Sequence, residues 1–239
     1  VILDWTPAQF PRFDAGLEKF DGTPLYEVQD PAMAVHPMWG TMLYNYGSPM
    51  VKDFLISNAF FWLDEFHVDG FRMDDVDAML YLDFGREAGQ WTANLYSSNE
   101  NLQALEFLKH LNSVVKKQYP GILLIAQEDG LWPQLTDSVE NDHLGFDYKW
   151  SGGWTKDLLT YLEAEPENRK DHYDQLTLSM MYAYSEHYVL TLGKRDVGCR
   201  EEFLKKLPGS SKQKAAQLRA AYAYLTVHPG IKMTAPDGD

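Results

Sequence analysis

An apolar stretch with helical spacing, Val51 to Phe66, runs almost without interruption into a shorter apolar run, Val68 to Met73. In the first, Val51, Phe54, Leu55, Ala59, Trp62 and Phe66 fall close to one helical face; the second suits a strand covered on both sides. The couplet returns downstream. Asn101 to Lys117, with Leu102, Leu105, Leu108, Leu111 and Val115 apolar, predicts a helix that Pro120-Gly121 ends, and Ile122 to Ala126 is a second buried strand. Val1-Ile2-Leu3, closing in Asp4 and Trp5, opens the series. Shorter runs at Leu144 to Trp150, Tyr188 to Leu192 and Ile231 to Ala235 extend it, the last behind a predicted helix over Lys212 to Val227. Doubly apolar strands separated by helices predict parallel βαβ units. A Pro- and Gly-rich loop up to about Pro49 is long enough to suggest a functional role. No repeat and no convincing linker divides the chain, so one domain is expected.

Composition narrows the partners. With 239 residues and 45% hydrophobic content the chain can bury a substantial core. A formal charge of −14 argues against nucleic acid or an anionic membrane and favours a neutral substrate. Cys199 is the only cysteine, which excludes a disulfide framework and a cysteine-based zinc site. The histidines are scattered without ligand spacing, and the glycines form no phosphate-cradling loop, so neither a metal nor a cofactor is expected. The apolar runs are too short to span a bilayer and no leader is visible; a soluble cytoplasmic protein is the expectation, of unknown oligomeric state.

Polar residues gather where the predicted strands end: Asp4, Arg72, Asp74, Gln127 and the cluster Lys194-Arg195-Asp196. In a parallel barrel reactive side chains collect at that end. Arg72 and Asp74 are one strand repeat apart, so both project from one face and the guanidinium can hold the carboxylate ionised, as a nucleophile requires. Singly, each such residue is an ordinary solvated strand end; their recurrence makes a candidate site. Aromatic residues make up 14% of the chain. Trp5, Trp39, Tyr44, Tyr46, Trp132 and Trp154 lie beside Gly, Asn or Asp in predicted loops, where flat faces suit sugar rings; core packing is the alternative.

Taken together, Val1-Ile2-Leu3-Asp4-Trp5, Phe20-Asp21-Gly22-Thr23-Pro24-Leu25-Tyr26, His36-Pro37 with Trp39-Gly40-Thr41, Asn45-Tyr46-Gly47, Asp69-Gly70-Phe71-Arg72-Met73-Asp74, Met79-Leu80-Tyr81-Leu82-Asp83, Asn99-Glu100-Asn101-Leu102, Leu144-Gly145-Phe146-Asp147-Tyr148-Lys149-Trp150 and His228-Pro229-Gly230 resemble the bacterial 1,4-α-glucan (glycogen) branching enzymes of the α-amylase superfamily. The resemblance runs nearly end to end. It implies an α/β fold, a (β/α)₈ TIM barrel incomplete in this chain. Residues 1–239 would form part of one catalytic barrel domain, from its third strand to its eighth, with the first two strands, the last helix and the flanking β-sandwich modules absent, as in a fragment of a longer protein. It also implies retaining glycosyl transfer from α-1,4 to α-1,6 linkage in glycogen synthesis, on α-1,4-glucan or glycogen, with no calcium expected. Asp74 matches the nucleophile and Arg72 the arginine that holds it, while Asp4, Gln9, Trp39, Arg72 and Lys194 match substrate-binding positions.

Four positions depart from the family pattern. Gln127 stands where the family has its acid–base glutamate, and an amide has no proton to give at a useful pH. Glu128 is the candidate substitute acid, but neighbours along a strand face opposite sides unless a bulge re-aims one. Gln9 replaces a histidine; it still bonds a hydroxyl but cannot share a charge. Lys194 replaces another histidine, and Arg195 replaces the aspartate that stabilises the transition state. That reversal opposes a developing cation by about 4 kcal/mol at ~4 Å and an effective dielectric near ~20. Three readings follow: a branching enzyme of reduced or lost activity, in which Glu128 could still serve; a non-catalytic glucan-binding or regulatory relative; and, more weakly, an α-glucan hydrolase.

Overall fold

The computed structural model describes residues 1–13, 15–130, 132–192 and 200–233, in two units, Val1–Asp147 and Tyr148–Asp239. In the first unit the chain runs β1 (Ile2–Trp5), β2 (Gln9–Phe10), α1 (Pro31–Ala34), β3 (Met42–Leu43), α2 (Pro49–Phe66), β4 (Gly70–Met73), α3 (Val76–Leu80), α4 (Leu102–Gln118) and β5 (Leu123–Gln127). β1, β4 and β5 form a parallel ladder in which Asp4 lies opposite Arg72 and Met73 opposite Ala126. The long segment ahead of α2 is not structureless: β2 and β3 pair antiparallel within it, and Arg86 donates to the carbonyl oxygens of Ala32, Met33 and Val35, each at 2.9 Å.

The helix α2 starts with Pro at a first-turn position, where its missing N–H costs nothing, and His67 ends it in the left-handed conformation with φ 52°. Val51, Leu55, Ala59 and Leu63 are its buried residues, a stripe stepping by four. Phe66, expected on that face, sits on the last turn past the edge of the core; it is exposed and packs against Trp62 and Phe61 instead. In α4, Asn101 caps the N-terminus through the Ala104 N–H, and Phe107, Leu108, Leu111 and Val115 are buried together with Asn112, whose amide donates to the Leu144 carbonyl at 2.8 Å. Leu102 and Leu105, expected on that face, are only partly covered because the buried stripe is centred on Leu108 and Leu111.

The second unit runs β6 (Tyr148–Trp150), α5 (Gly152–Glu163), α6 (Tyr173–Tyr182), β7 (Tyr188–Leu190), α7 (Arg200–Lys206), α8 (Ser211–Val227) and β8 (Ile231–Lys232). β6, β7 and β8 pair in parallel around a core built from Trp154, Leu158, Leu162, Phe203 and Leu225. Helices α5 and α6 fall where no element is expected from the sequence. The last predicted strand extends to Ala235, which lies outside the described residues.

Four of the six loop aromatics belong to cores. Trp5, Tyr44, Tyr46 and Trp154 are buried, and Trp5 and Tyr46 hydrogen-bond to Asn58 and the Pro7 carbonyl. Their burial in the cores explains them better than sugar stacking. No helix among the described residues is long and apolar enough to cross a membrane.

Candidate active site

Strand spacing carries Arg72 into the interior of the first unit, where its side chain is 4% exposed. A buried guanidinium requires anionic partners, and the ladder brings two. Nη1 lies 3.2 Å from Asp4 Oδ1, its cross-strand neighbour, and Nη2 lies 3.1 Å from Asp74 Oδ1, two positions along the same face. The Asp74 N–H donates to the Trp5 carbonyl at 2.9 Å, which fixes the residue one step past the end of β4. Asp74 is largely enclosed, whereas Asp4 opens to solvent.

Gln127 stands one step past Ala126, as Asp74 stands one step past Met73. Its amide is engaged at both ends: Oε1 accepts the Asp75 N–H at 3.2 Å, and Nε2 donates to Asp129 Oδ2 at 3.0 Å. Gln9 is held in the same circuit. Its Nε2 donates to Asp75 Oδ2 at 2.8 Å, and its Oε1 accepts the Thr41 hydroxyl. Asp75 thus joins both glutamines, one through its backbone and the other through its carboxylate. It does so in the left-handed conformation, φ 55°, which Asp tolerates better than most residues. The sequence reading does not single out Asp75; the doubled aspartate Asp74-Asp75 is the signal that could have found it.

Glu128, one residue on, is 1% exposed and packs against Asp77, itself buried at the start of α3. Burial first, and then the neighbouring Glu128 carboxyl, push Asp77 up to about 7. The Asp129 N–H donates to Asp77 Oδ2 at 3.2 Å, tying the segment after β5 to α3. Gly130 makes room for this arrangement, since a Cβ there would lie 2.3 Å from Glu128 Oε1.

Trp39 is 37% exposed. It stacks on His36 with centroids 3.8 Å apart and planes 13° apart, on a turn closed by the His36 N–H to the Thr41 carbonyl and the Gly40 N–H to the His36 carbonyl. Burial, with the charge of Arg86, pushes His36 down to about 4, so the ring beneath Trp39 is neutral at physiological pH. The turn that presents Trp39 also supplies Thr41, the partner of Gln9. Lys194 and Arg195 lie outside the described residues. Among the described residues no group of three His, Cys, Asp or Glu side chains could hold a metal ion. What the strand ends bring together is an ion-paired carboxylate, two engaged amides and, buried apart from solvent, a pair of carboxyl groups.

No family model matches the sequence. The chain is 49% identical over 234 residues to a 1,4-alpha-glucan branching enzyme of Thermobifida fusca, covering 98% of this chain and 31% of that protein. It is 47% identical over 240 residues to one from Oleidesulfovibrio alaskensis, covering 100% of this chain and 38% of that one. The chain therefore spans about a third of the length of these curated relatives. Among solved structures, an Anoxybacillus α-amylase matches with a TM-score of 0.59 at 15% identity over 98% of this chain and 47% of that chain. A Geobacillus thermoleovorans α-amylase matches with the same TM-score at 16% identity, over 99% and 48%. At such identity the likeness concerns the fold alone: α/β, corresponding to part of an α-amylase-type barrel.

Proposed function

Because this chain belongs to the family of the bacterial 1,4-alpha-glucan branching enzymes, we propose that the whole protein binds α-1,4-glucan or glycogen at the strand ends of its first unit and branches it at a strongly reduced rate or not at all. One observation carries the reading. Gln127, at the acid–base position of the pattern, is tied by its amide to Asp75 and Asp129, while the adjacent carboxyl of Glu128 is buried against Asp77.

The family reaction is a double displacement: a carboxylate attacks the anomeric carbon, an acid protonates the departing oxygen, and an acceptor hydroxyl then takes the glycosyl group. Asp74, directed by Arg72, suits the first role. Gln127 offers the departing oxygen no proton, and loss of a general acid typically costs about 10²- to 10⁴-fold in rate. Arg195, in place of an anion, opposes the oxocarbenium-like charge further. Asp4, Gln9 and Lys194 remain suited to sugar hydroxyls, and the exposed Trp39 ring to a pyranose ring. We further place residues 1–239 within one barrel domain of a cytoplasmic protein.

A second reading keeps Glu128 as a working acid; its burial against Asp77 disfavours it. Hydrolysis is weaker, since the matched runs are those of branching enzymes. The test is the full-length purified protein incubated with amylose, with new α-1,6 linkages scored against the Thermobifida fusca enzyme. Turnover lower by about 100-fold or more is expected, with maltoheptaose still bound at millimolar concentration. Comparable turnover would sink the degenerate-site reading, and failure to bind maltoheptaose would sink the glucan site.

A further inference from the structure

The hydrogen bonds at the strand ends join into one chain. The Thr41 hydroxyl donates to Gln9 Oε1, Gln9 Nε2 to Asp75 Oδ2, the Asp75 N–H to Gln127 Oε1, Gln127 Nε2 to Asp129 Oδ2, and the Asp129 N–H to Asp77 Oδ2. Asp77, 8% exposed in the first turn of α3, is its buried end. There the segment after β5 meets α3, since the Asp77 carboxyl also packs against that of Glu128. Its Oδ1 is buried and receives no hydrogen bond from the described residues, which leaves it as the oxygen that carries a proton. The other titratable groups facing it are Asp129 and, from the close of its own helix, Tyr81. Burial and the carboxylates of Glu128, Asp77, Glu100 and Asp83 push Tyr81 up to about 12, so it keeps its proton throughout the neutral range. Helix α4, which packs on α3, buries apolar side chains and the neutral Asn112.

Loss of the proton sets two carboxylates against each other between α3 and the end of β5, where burial leaves their repulsion poorly screened. Glu128 is 1% exposed and its Oε1 lies over Gly130, so it has little room to swing aside, and the displacement passes to its chain neighbours, Gln127 and Asp129. We propose that Asp77 is a positioning residue of the strand-end site: through the Asp129 backbone and the Glu128 carboxyl it holds Gln127, and through Gln127 the bonds of Asp75, Gln9 and Thr41, in one arrangement. A retained proton keeps that arrangement, and its loss as pH rises loosens it. The role rests on the reading of the strand ends as a glucan site.

The test follows the side-chain amide NMR signals of Gln9 and Gln127 in the full-length protein labelled at glutamine nitrogen, each assigned by its replacement with alanine. Without sugar, both signals are expected to move together as pH rises through about 7. Asp77→Asn keeps an acceptor for the Asp129 N–H and has no proton to lose, so it should hold both signals near their low-pH positions throughout. Asp77→Ala lacks the acceptor and should displace them at every pH. Maltoheptaose should bind the parent about fivefold or more weakly at pH ~8 than at pH ~6, and Asp77→Asn equally at both. Signals that ignore pH, or that move in Asp77→Asn as in the parent, overturn the proposal, as does a parent affinity that stays constant while the amides move. Amides that respond as expected in a protein that binds no maltoheptaose at either pH keep the positioning role and remove the glucan reading. Should Asp77→Ala fail to fold, Asp77→Asn and the pH profile decide alone.

Discussion

Asp74 and Asp77 stand three positions apart in the chain, one facing a buried guanidinium and the other a buried carboxyl. At Asp74 charge is balanced by charge, and the strand period built the pair locally: Arg72 is two residues away on the same face. At Asp77 the balance is struck by retaining a proton, because burial and the Glu128 carboxyl that arrives from the end of β5 both disfavour its charge. What an aspartate does here is set by the group opposite it and not by its place in the motif. The ion-paired carboxylate stands one step past the end of β4, whereas Asp77 and Glu128 are buried.

Removing the cation is the harshest way to break this comparison. Arg72→Met roughly preserves volume but takes the guanidinium away from both Asp74 and Asp4, and a loss of about 3–5 kcal/mol is expected from the denaturant midpoint. A loss below about 1 kcal/mol would put the pair in the class of surface bridges. The second change acts through pH. Asp77 keeps its proton up to about 7 when folded and releases it near its ordinary 3.8 when unfolded. Between those values the folded state binds the extra proton, so stability falls as pH rises, by about 1.4 kcal/mol per unit, and levels off above 7. His36 works the other way. It refuses a proton down to about 4 against an ordinary 6.5, so its contribution rises with pH across that window at about the same slope and hides the Asp77 effect. In Asp77→Asn the rise is unmasked: the variant's stability relative to the parent should climb about 1.4 kcal/mol per unit between pH ~4 and ~7. A flat difference curve would mean that Asp77 carries no excess proton. The mildest change is Gly130→Ala, whose methyl displaces Glu128 Oε1 within a buried setting at a cost of about 1–2 kcal/mol. In a Glu128→Ala background that cost should vanish; if it persists, the crowding lies elsewhere.

The contrast also marks what the sequence could reveal. Arg72 and Asp74 were legible because a period of two needs no tertiary knowledge, and the apolar run of β4 because a strand covered on both faces shows no alternation to misread. The pair Asp77–Glu128 was not, since nothing in either segment signals that α3 and the end of β5 will meet. Helix α5 opens with Gly152-Gly153, which reads as a loop, although Trp154, Leu158 and Leu162 carry a four-residue spacing that was there to see. Helix α6 buries only Ser179, so no apolar stripe announces it. Asp75 escaped notice because its role lies in its left-handed backbone and in partners drawn from two separate strands, β2 and β5.

The pairing of β1 with β4 has a consequence in time. Asp4 precedes Arg72 by 68 residues. At about 5–20 residues per second of synthesis, the first strand of this ladder waits about 3–14 s before its partner has been made. Asp74 follows Arg72 within a fraction of that interval. The guanidinium therefore receives one anion in the order of translation and the other by retrieving a strand already outside the ribosome. The two halves of its ion pair differ in age, and the slower half sets when the strand-end site first exists.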